Sequence, residues 1–258
     1  MELIFLGTGG GRVNLLKQIR STGGQWLRTN DLNIMIDPGP GSILQCKKYS
    51  LDPLKLDAII VTHYHIDHCN ESSLMVEGMT SYALKKKGIF IGSRYVVEGD
   101  AKGDTGITRY HLGKIGTVYT AKYGERKKFK TKNSEFEIEI IKSRHDEPTG
   151  FGFKLSAEGK TMGIISDTEY FEELGELYKG CDTLFVSCLK PKKDQIPDHL
   201  KTDDVIAIAR KAMPKKIIIY HLGMKMLSAG PEKEAKKIED ATGIKCMAAK
   251  DGMKVDII

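Results

Sequence analysis

Cysteine, proline and long apolar runs are scarce in this sequence of 258 residues. The 5 cysteines are odd in number and show no C-x-x-C spacing, which argues against a disulfide framework or a cysteine-ligated zinc site and predicts reduced core thiols. No apolar run approaches the roughly 18 residues that a membrane span requires, so a transmembrane protein is excluded. The N-terminus MELIFLG has an acidic residue and an apolar stretch of only about five residues, too short for a secretory signal, so we expect a cytoplasmic protein.

Charge is abundant but nearly balanced. The 40 basic and 34 acidic residues give a net charge of +6, and 40% of the residues are hydrophobic, which is typical of a globular protein. The basic excess is clustered at positions 85–87, 126–132, 190–193 and 215–216. Such clusters can attract RNA or a phosphate-bearing substrate, but a charge run is more often a solvated face. The charge therefore permits a nucleic-acid partner without requiring one.

Strand and helix patterns alternate along the whole chain. They predict a hairpin formed by segments 25–29 and 32–36, helices over about 71–86 and 169–179, and a closing hairpin around Asp251. No linker-like tract or repeat interrupts the pattern. We therefore expect one domain spanning residues 1–258, with two sheets packed face to face and helices outside.

Histidine is also scarce, yet 3 of the 7 histidines fall within six residues. The strand-forming run DAIIVT is followed directly by His63, His65, Asp67 and His68. Neutral imidazoles and carboxylates form a nitrogen and oxygen ligand set that suits zinc and its neighbours. In an extended segment His63 and His65 point to one side, while Asp67 and His68 turn away where a helix begins. The spacing thus allows two metal ions rather than one.

Three further polar residues follow apolar strands later in the chain. His145 follows EFEIEIIKSR, Asp167 follows MGIIS and His221 follows KIIIY. Open α/β sheets hold their ligands at strand ends, so we expect these side chains to complete the metal site. The two oxygens of the Asp167 carboxylate can bridge two cations.

The motif HYHIDH, followed in order by these three residues and preceded by IDPGPG with Asp37, resembles the metallo-β-lactamase superfamily over nearly the whole chain. The resemblance implies an α/β fold of the αββα type, in which two mixed β-sheets pack face to face with helices outside and the metals lie at one edge. It implies two divalent ions, zinc or alternatively manganese or iron, with Asp37 supporting the site from behind. The implied ligands are His63, His65 and His145 for the first ion, Asp67, His68 and His221 for the second, and Asp167 between them. By resemblance alone, it also implies a homodimer.

Within the superfamily, the sequence resembles the ribonuclease Z-like and cyclic phosphodiesterase branch. Asp167 stands where the best-known β-lactamases carry a cysteine, and His199 precedes the helix that leads to the last ligand strand, as a similar histidine does in that branch. The resemblance implies that His199 assists phosphate binding or protonates the leaving group, which suits an imidazole that is not a ligand. Asp67 is expected to steer the proton of the nucleophile. His111 lacks this context and is expected at the surface or at a strand edge.

These features predict a metal-dependent hydrolase with a dinuclear site. We expect a phosphodiesterase for nucleotide or RNA-type phosphodiesters that uses a hydroxide held between the two ions. Two alternatives stay open, a thioester or lactone hydrolase of the glyoxalase II-like type and a non-catalytic, metal-stabilised RNA-binding module. The long arm with which ribonuclease Z grips tRNA is not evident, so a small phosphodiester is at least as good a partner as RNA.

The glycine-rich segment GTGGGR follows the first strand. It fails as a dinucleotide-binding fingerprint, because Arg12 occupies the position of the third glycine. We interpret it as a turn in which glycine lets the backbone approach the site.

Overall fold

The structure, a computed structural model, describes residues 1–191 and 198–258. Two seven-stranded sheets face each other in this part of the chain. Its strands, in chain order, are β1 (Glu2–Phe5), β2 (Gln25–Arg28), β3 (Asn33–Ile36), β4 (Ala58–Val61), β5 (Lys87–Gly92), β6 (Ile115–Thr120), β7 (Arg126–Lys130), β8 (Glu135–Lys142), β9 (Phe151–Ala157), β10 (Lys160–Ile165), β11 (Thr183–Ser187), β12 (Lys216–Tyr220), β13 (Lys245–Ala248) and β14 (Lys254–Asp256).

Both sheets are mixed. The first has the order β14-β1-β2-β3-β4-β5-β6 and the second the order β13-β12-β11-β10-β9-β8-β7. In the first sheet, neighbouring strands are antiparallel from β14 to β3 and parallel from β3 to β6. In the second sheet, they are parallel from β13 to β10 and antiparallel from β10 to β7. The parallel strand β4 (AIIV) is buried throughout, as expected for a strand covered on both faces.

The core between the sheets comes from alternating residues. In β8 the side chains of Phe136, Ile138 and Ile140 are buried, whereas the glutamates between them are exposed or half-buried. They join one apolar cluster with residues of the first sheet such as Phe5 and Ile60. A period of two therefore turns one face of the antiparallel strand inward.

Helices cover the outer faces. Those of the described residues are α1 (Gly11–Lys17), α2 (Ser42–Lys48), α3 (Ile66–Cys69), α4 (Ser72–Met79), α5 (Arg94–Val97), α6 (Arg109–Leu112), α7 (Leu174–Leu177), α8 (Thr202–Ala212), α9 (Met224–Ala229) and α10 (Pro231–Thr242). Buried residues of α4 pack on the first sheet, and those of α8 and α10 pack on the second. This arrangement confirms the predicted αββα fold. No helix in residues 1–191 and 198–258 is long and apolar enough to cross a membrane.

The hairpin expected from segments 25–29 and 32–36 is confirmed as β2 and β3, but both predicted helices are shorter than expected. The helix over 71–86 ends at Met79, because the backbone turns left-handed over residues 81–83, with φ of 55°, 64° and 55°. The helix over 169–179 is reduced to the single turn α7. Glycine weakens a helix, and a Cβ on Gly175 would lie 2.8 Å from the carbonyl oxygen of Ile208, so this segment packs directly on α8.

The prediction of a closing hairpin around Asp251 is wrong. β13 pairs with β12 in the second sheet, whereas β14 pairs with β1 in the first, so the turn between them crosses from one sheet to the other. The Asp251 carboxylate accepts hydrogen bonds from the Thr8 hydroxyl at 2.6 Å and the Ser21 N–H at 2.9 Å. These contacts hold the crossing against the first sheet.

Candidate metal centre

The first half of the site follows the buried strand β4. Its apolar side chains fix the strand between the layers, and the chain then leaves the sheet and enters α3. His63 lies buried just beyond the strand, Asp67 is half-buried and His68 is buried in α3, and His65 precedes that helix. One short loop thus carries four potential ligands.

The second half of the site comes from three strand ends of the other sheet. His145 lies beyond β8, Asp167 lies beyond β10, and His221 directly follows β12 with a left-handed backbone, φ 56°. The structure therefore brings together all seven residues that the sequence suggested as metal ligands, although they span more than 150 positions of the chain.

Six of the seven side chains form two groups, and the seventh, the carboxylate of Asp167, lies between them. Donor atoms of His63, His65 and His145 all lie within 4.8 Å of one another, and so do those of Asp67, His68 and His221. Asp167 lies between the groups, because one donor atom each of His63, His68 and Asp167 also meets this limit.

Distances within the second group are short. The Nε2 atoms of His68 and His221 are 3.0 Å apart, and Oδ2 of Asp67 lies 3.4 Å from Nε2 of His221. Asp167 reaches both rings, with Oδ2 3.6 Å from His68 Nε2 and Oδ1 3.5 Å from His221 Nδ1. Its Oδ1 also accepts a hydrogen bond from the Ser187 hydroxyl at 2.6 Å.

The chemistry of these residues fits divalent cations. Nε2 of His63 and Nδ1 of His221 are buried and find no hydrogen-bond partner in the described residues. Buried polar atoms are rarely left without a partner, and a cation would use the lone pair that such a nitrogen offers. The donor set contains only imidazole and carboxylate groups, which suit zinc and its neighbours.

The ionisation states of the residues in the site also favour the binding of positive charge. Burial lowers the pKa of His63 well below its usual range and keeps the ring in the neutral form that can bind a metal. Burial alone would raise the pKa of Asp167, but the neighbouring imidazoles, chiefly His221, outweigh it and hold this pKa well below its usual range. At His68 the effect of burial is likewise overcome, and Asp67 and Asp167 raise the pKa of the ring well above its usual range. The carboxylates are therefore ionised and draw a positive charge into the site.

The comparison with known proteins agrees with this geometry. A family model described as the beta-lactamase superfamily domain matches residues 32–222. The chain belongs to the metallo-β-lactamase superfamily. It is 33% identical over 260 residues to the uncharacterized protein MJ1374 of Methanocaldococcus jannaschii, covering 100% of this chain and 96% of that protein.

More distant members of the superfamily are also similar over nearly the full length. Ribonuclease Z of Thermococcus kodakarensis is 22% identical over 295 residues, covering 97% of this chain and 93% of that enzyme. The crystal structure of the metallo-β-lactamase fold protein YhfI from Bacillus subtilis superimposes with a TM-score of 0.78 at 18% identity and covers 98% of both chains. The latter likeness shows the shared fold.

Behind the candidate ligands lies the buried Asp37, as the sequence suggested. Its Oδ2 accepts a hydrogen bond from Nδ1 of His68 at 3.0 Å. The backbone N–H and the hydroxyl of Thr62 donate to the same carboxylate at 2.7 and 2.8 Å. A carboxylate bound to the far nitrogen of an imidazole orients that ring and directs its other nitrogen toward the metal side.

His199 lies beside the two groups of candidate ligands. Its Nδ1 is 3.6 Å from Oδ2 of Asp167, and its side chain is 19% exposed. Nδ1 of His145 donates to the carbonyl oxygen of Asp198 at 3.0 Å, which ties the His199 segment to a ligand ring. Burial lowers the pKa of His199 to about 4, against the opposing effect of Asp167. His199 is therefore a neutral imidazole at the edge of the site. Like the nitrogens of His63 and His221, its buried Nδ1 finds no hydrogen-bond partner in the described residues, and donor atoms of His145, Asp167 and His199 lie within 4.8 Å of one another.

Asp146 was missed by the sequence reasoning. Its Oδ1 lies 3.3 Å from Nε2 of His65 and 3.1 Å from Nε2 of His145, although the side chain is 59% exposed. The signal was its position directly after His145, since a carboxylate next to a ligand can share its surroundings. Asp146 thus places a carboxylate oxygen beside two of the candidate ligands, His65 and His145.

Other residues singled out in the sequence lie elsewhere. His111 is in α6, not at a strand edge, and its Nε2 lies 2.9 Å from Oε1 of Glu77. In the cluster 126–132, Arg126 pairs with Glu139 on the neighbouring strand, as expected for a solvated face. Lys192 and Lys193 lie outside the described residues. All five cysteines are free and buried, as predicted.

The glycine-rich turn approaches the metallo-β-lactamase site as interpreted from the sequence. A Cβ on Gly10 would overlap the imidazole of His221. The backbone N–H of Gly10 donates to the carbonyl oxygen of Leu222 at 3.2 Å. A cavity of about 490 Å³ opens in front of this contact and is lined by His65, His145, Asp167, His199 and His221.

Proposed function

We propose that this protein is a dinuclear metal-dependent phosphodiesterase. One observation carries the proposal: His199, which is not among the seven ligand positions suggested by the sequence, lies 3.6 Å from Asp167 and lines the same cavity as several of them do. Thioester and lactone hydrolysis by the same metals has no need of this imidazole. The likeness to Ribonuclease Z over nearly the full length supports the same chemistry.

The proposed ligand set is the one suggested by the sequence. His63, His65 and His145 would hold one cation, Asp67, His68 and His221 would hold the other, and Asp167 would contact both. Zinc suits these donors, and manganese or iron can use them as well. When bound, two such cations supply the positive charge that lowers the pKa of a coordinated water and stabilises the phosphoryl oxygens.

The residues of the chain have separate tasks in the proposed reaction. Asp67 lies within 3.4 Å of the His221 ring and can accept a hydrogen bond from the attacking water, which keeps a lone pair of that water directed at phosphorus. His199, a neutral imidazole beside Asp167, can donate an N–H hydrogen bond to a phosphoryl or leaving oxygen as charge develops there. Asp37 has no contact with substrate in this scheme and orients His68.

The proposal is tested with the metal-loaded protein and its His199→Ala variant. We expect wild-type protein to cleave bis-p-nitrophenyl phosphate, and His199→Ala to lower kcat/KM by about 100- to 1,000-fold, the usual cost of removing one hydrogen-bond donor to the charge that develops in the transition state. Metal content should be unchanged in the variant, since His199 is not a proposed ligand.

His111→Ala is the matched control, because this histidine is bound to Glu77 away from the site. The proposal fails when wild-type protein cleaves a thioester or a lactone but not the phosphodiester. If the His199→Ala variant has lost metal, His199 is a metal ligand and not the hydrogen-bond donor proposed here.

A further inference from the structure

Helix α1 exposes apolar side chains and buries a polar one. Val13 and Leu16 in the helix are 48% and 84% exposed, and Ile19, two residues beyond its end, is 54% exposed, whereas Asn14 is fully buried. A surface helix normally shows the reverse pattern. Contiguous exposed apolar surface in a protein commonly marks a binding site.

Buried Asn14 fixes this helix against the metal centre. Its Nδ2 donates to the carbonyl oxygen of Leu222 at 2.7 Å, one residue beyond the ligand His221, and to the carbonyl oxygen of Gly10 at 3.2 Å. Gly10 permits the close approach of the chain to His221. The helix that carries the exposed apolar residues is therefore held by hydrogen bonds next to the proposed metal ligand His221.

Part of this apolar surface lines the active-site cavity. Leu15 and Leu16 of α1 face the same space as Ile66, which is 53% exposed and lies between the ligands His65 and Asp67. We call Leu15, Leu16 and Ile66 the apolar wall. Arg12, one turn before Leu16, lines the cavity beside the wall.

Charge and size restrict what the cavity can hold. Among the described residues that line it, Arg12 is the one lysine or arginine, against the carboxylates of Asp67, Asp146, Asp167 and Asp198. A long polynucleotide would bring many phosphates and needs many cations. A volume of about 490 Å³ is instead in the range of sites for single small ligands.

From this geometry we infer that the apolar wall selects a small phosphodiester that carries a nucleobase-sized aromatic group. The flat face of that group packs on Leu15, Leu16 and Ile66, and Arg12 pairs with the phosphate charge. The carboxylates of the exposed Asp146 and the half-buried Asp198 accept hydrogen bonds from sugar hydroxyls or base N–H groups. The inference rests on the proposed phosphodiesterase activity and adds its substrate class.

The test compares two substrates with the same leaving group. Thymidine 5′-p-nitrophenyl phosphate carries a nucleoside, whereas methyl p-nitrophenyl phosphate carries only a methyl group. We expect metal-loaded wild-type protein to prefer the first substrate, with Leu16→Ala lowering the ratio of the two kcat/KM values by about tenfold, the order of an apolar pocket contact. Arg12→Gln should raise KM for both substrates alike, because both carry the phosphate.

Leu84→Ala is the matched control, since Leu84 is 82% exposed, as Leu16 is 84% exposed, and does not line the cavity. It should leave the ratio unchanged. Equal kcat/KM for the two substrates in wild-type protein, or an unchanged ratio in Leu16→Ala, would overturn the inference while the proposed function stands.

If neither substrate is cleaved, the proposed function is wrong, and binding measurements then test the inference separately. Calorimetry with thymidine 5′-monophosphate measures whether the apolar wall binds a nucleotide. Weaker binding by Leu16→Ala than by Leu84→Ala supports the inference, and equal binding overturns it. A short oligoribonucleotide that binds more tightly than the mononucleotide, irrespective of Leu16→Ala, also overturns it.

Discussion

At the scale of single residues, Asp37 is the most direct test of how the ligands are oriented. Its carboxylate lies 3.0 Å from Nδ1 of His68, and its backbone has a left-handed φ of 48°. Asparagine tolerates this conformation, so Asp37→Asn changes the charge of the group with little strain in the backbone. Loss of an outer carboxylate of this kind lowers metal affinity by about 10- to 100-fold. Competition with a zinc-binding dye measures the change.

Asp31→Asn is the control for that substitution, because Asp31 is exposed in the turn between β2 and β3. Its zinc affinity should equal that of the wild type. An Asp37→Asn protein with wild-type affinity would mean that packing, rather than the Asp37 carboxylate, orients His68.

The sequence was most informative where one residue type is rare and closely spaced. The cluster from His63 to His68 could be assigned to a metal site because packing alone does not require three imidazoles in six positions. Asp146 and Leu16 were missed for the opposite reason. Aspartate and leucine are common in any sequence and are often exposed in structures. Only the structure shows that these two lie beside the candidate ligands.

At the scale of elements, the turn between β1 and α1 is the most constrained connection to the site. A Cβ on Gly10 would overlap the ring of His221, so Gly10→Ala must move either α1 or this proposed ligand. Overpacking of this kind costs about 1–3 kcal/mol of the free energy of unfolding. We expect that loss in urea denaturation, together with weaker zinc binding.

Gly113→Ala is a suitable control for Gly10→Ala. Gly113 has a right-handed φ of −64°, and an added Cβ would come no closer than 3.3 Å to another residue. Its free energy of unfolding should stay within about 0.5 kcal/mol of the wild type, as for most surface substitutions. If both variants lose the same stability, contact with His221 is not the cause.

Elements were predictable from the sequence, but their partners were not. Strict alternation in β8 and the buried run of β4 gave both strands. The turn around Asp251, in contrast, has the local features of a hairpin yet connects different sheets. A glycine turn between short apolar strands specifies a change of direction, while pairing depends on distant residues, here the contacts of Asp251 with Thr8 and Ser21.

At the scale of the whole molecule, the candidate metal centre joins the two sheets. The candidate ligands from His63 to His68 follow β4 of the first sheet, whereas His145, Asp167 and His221 follow strands of the second. Metal bound to the proposed ligands would therefore link the two layers of the sandwich. Metal removal should lower the stability of the entire fold rather than loosen one loop.

Chelation measures this link. A ligand present at about 1,000 times its Kd stabilises the folded state by about 4 kcal/mol. For a chain of this size, about 2–4 °C of Tm corresponds to each kcal/mol, so removal of zinc should lower Tm by about 8–16 °C. Restored zinc should reverse the change, and Asp37→Asn should show a smaller shift because it binds zinc more weakly. If the protein, shown by elemental analysis to be free of metal, melts at the same temperature as the loaded form, the ligands are held in position by packing of the sheets alone.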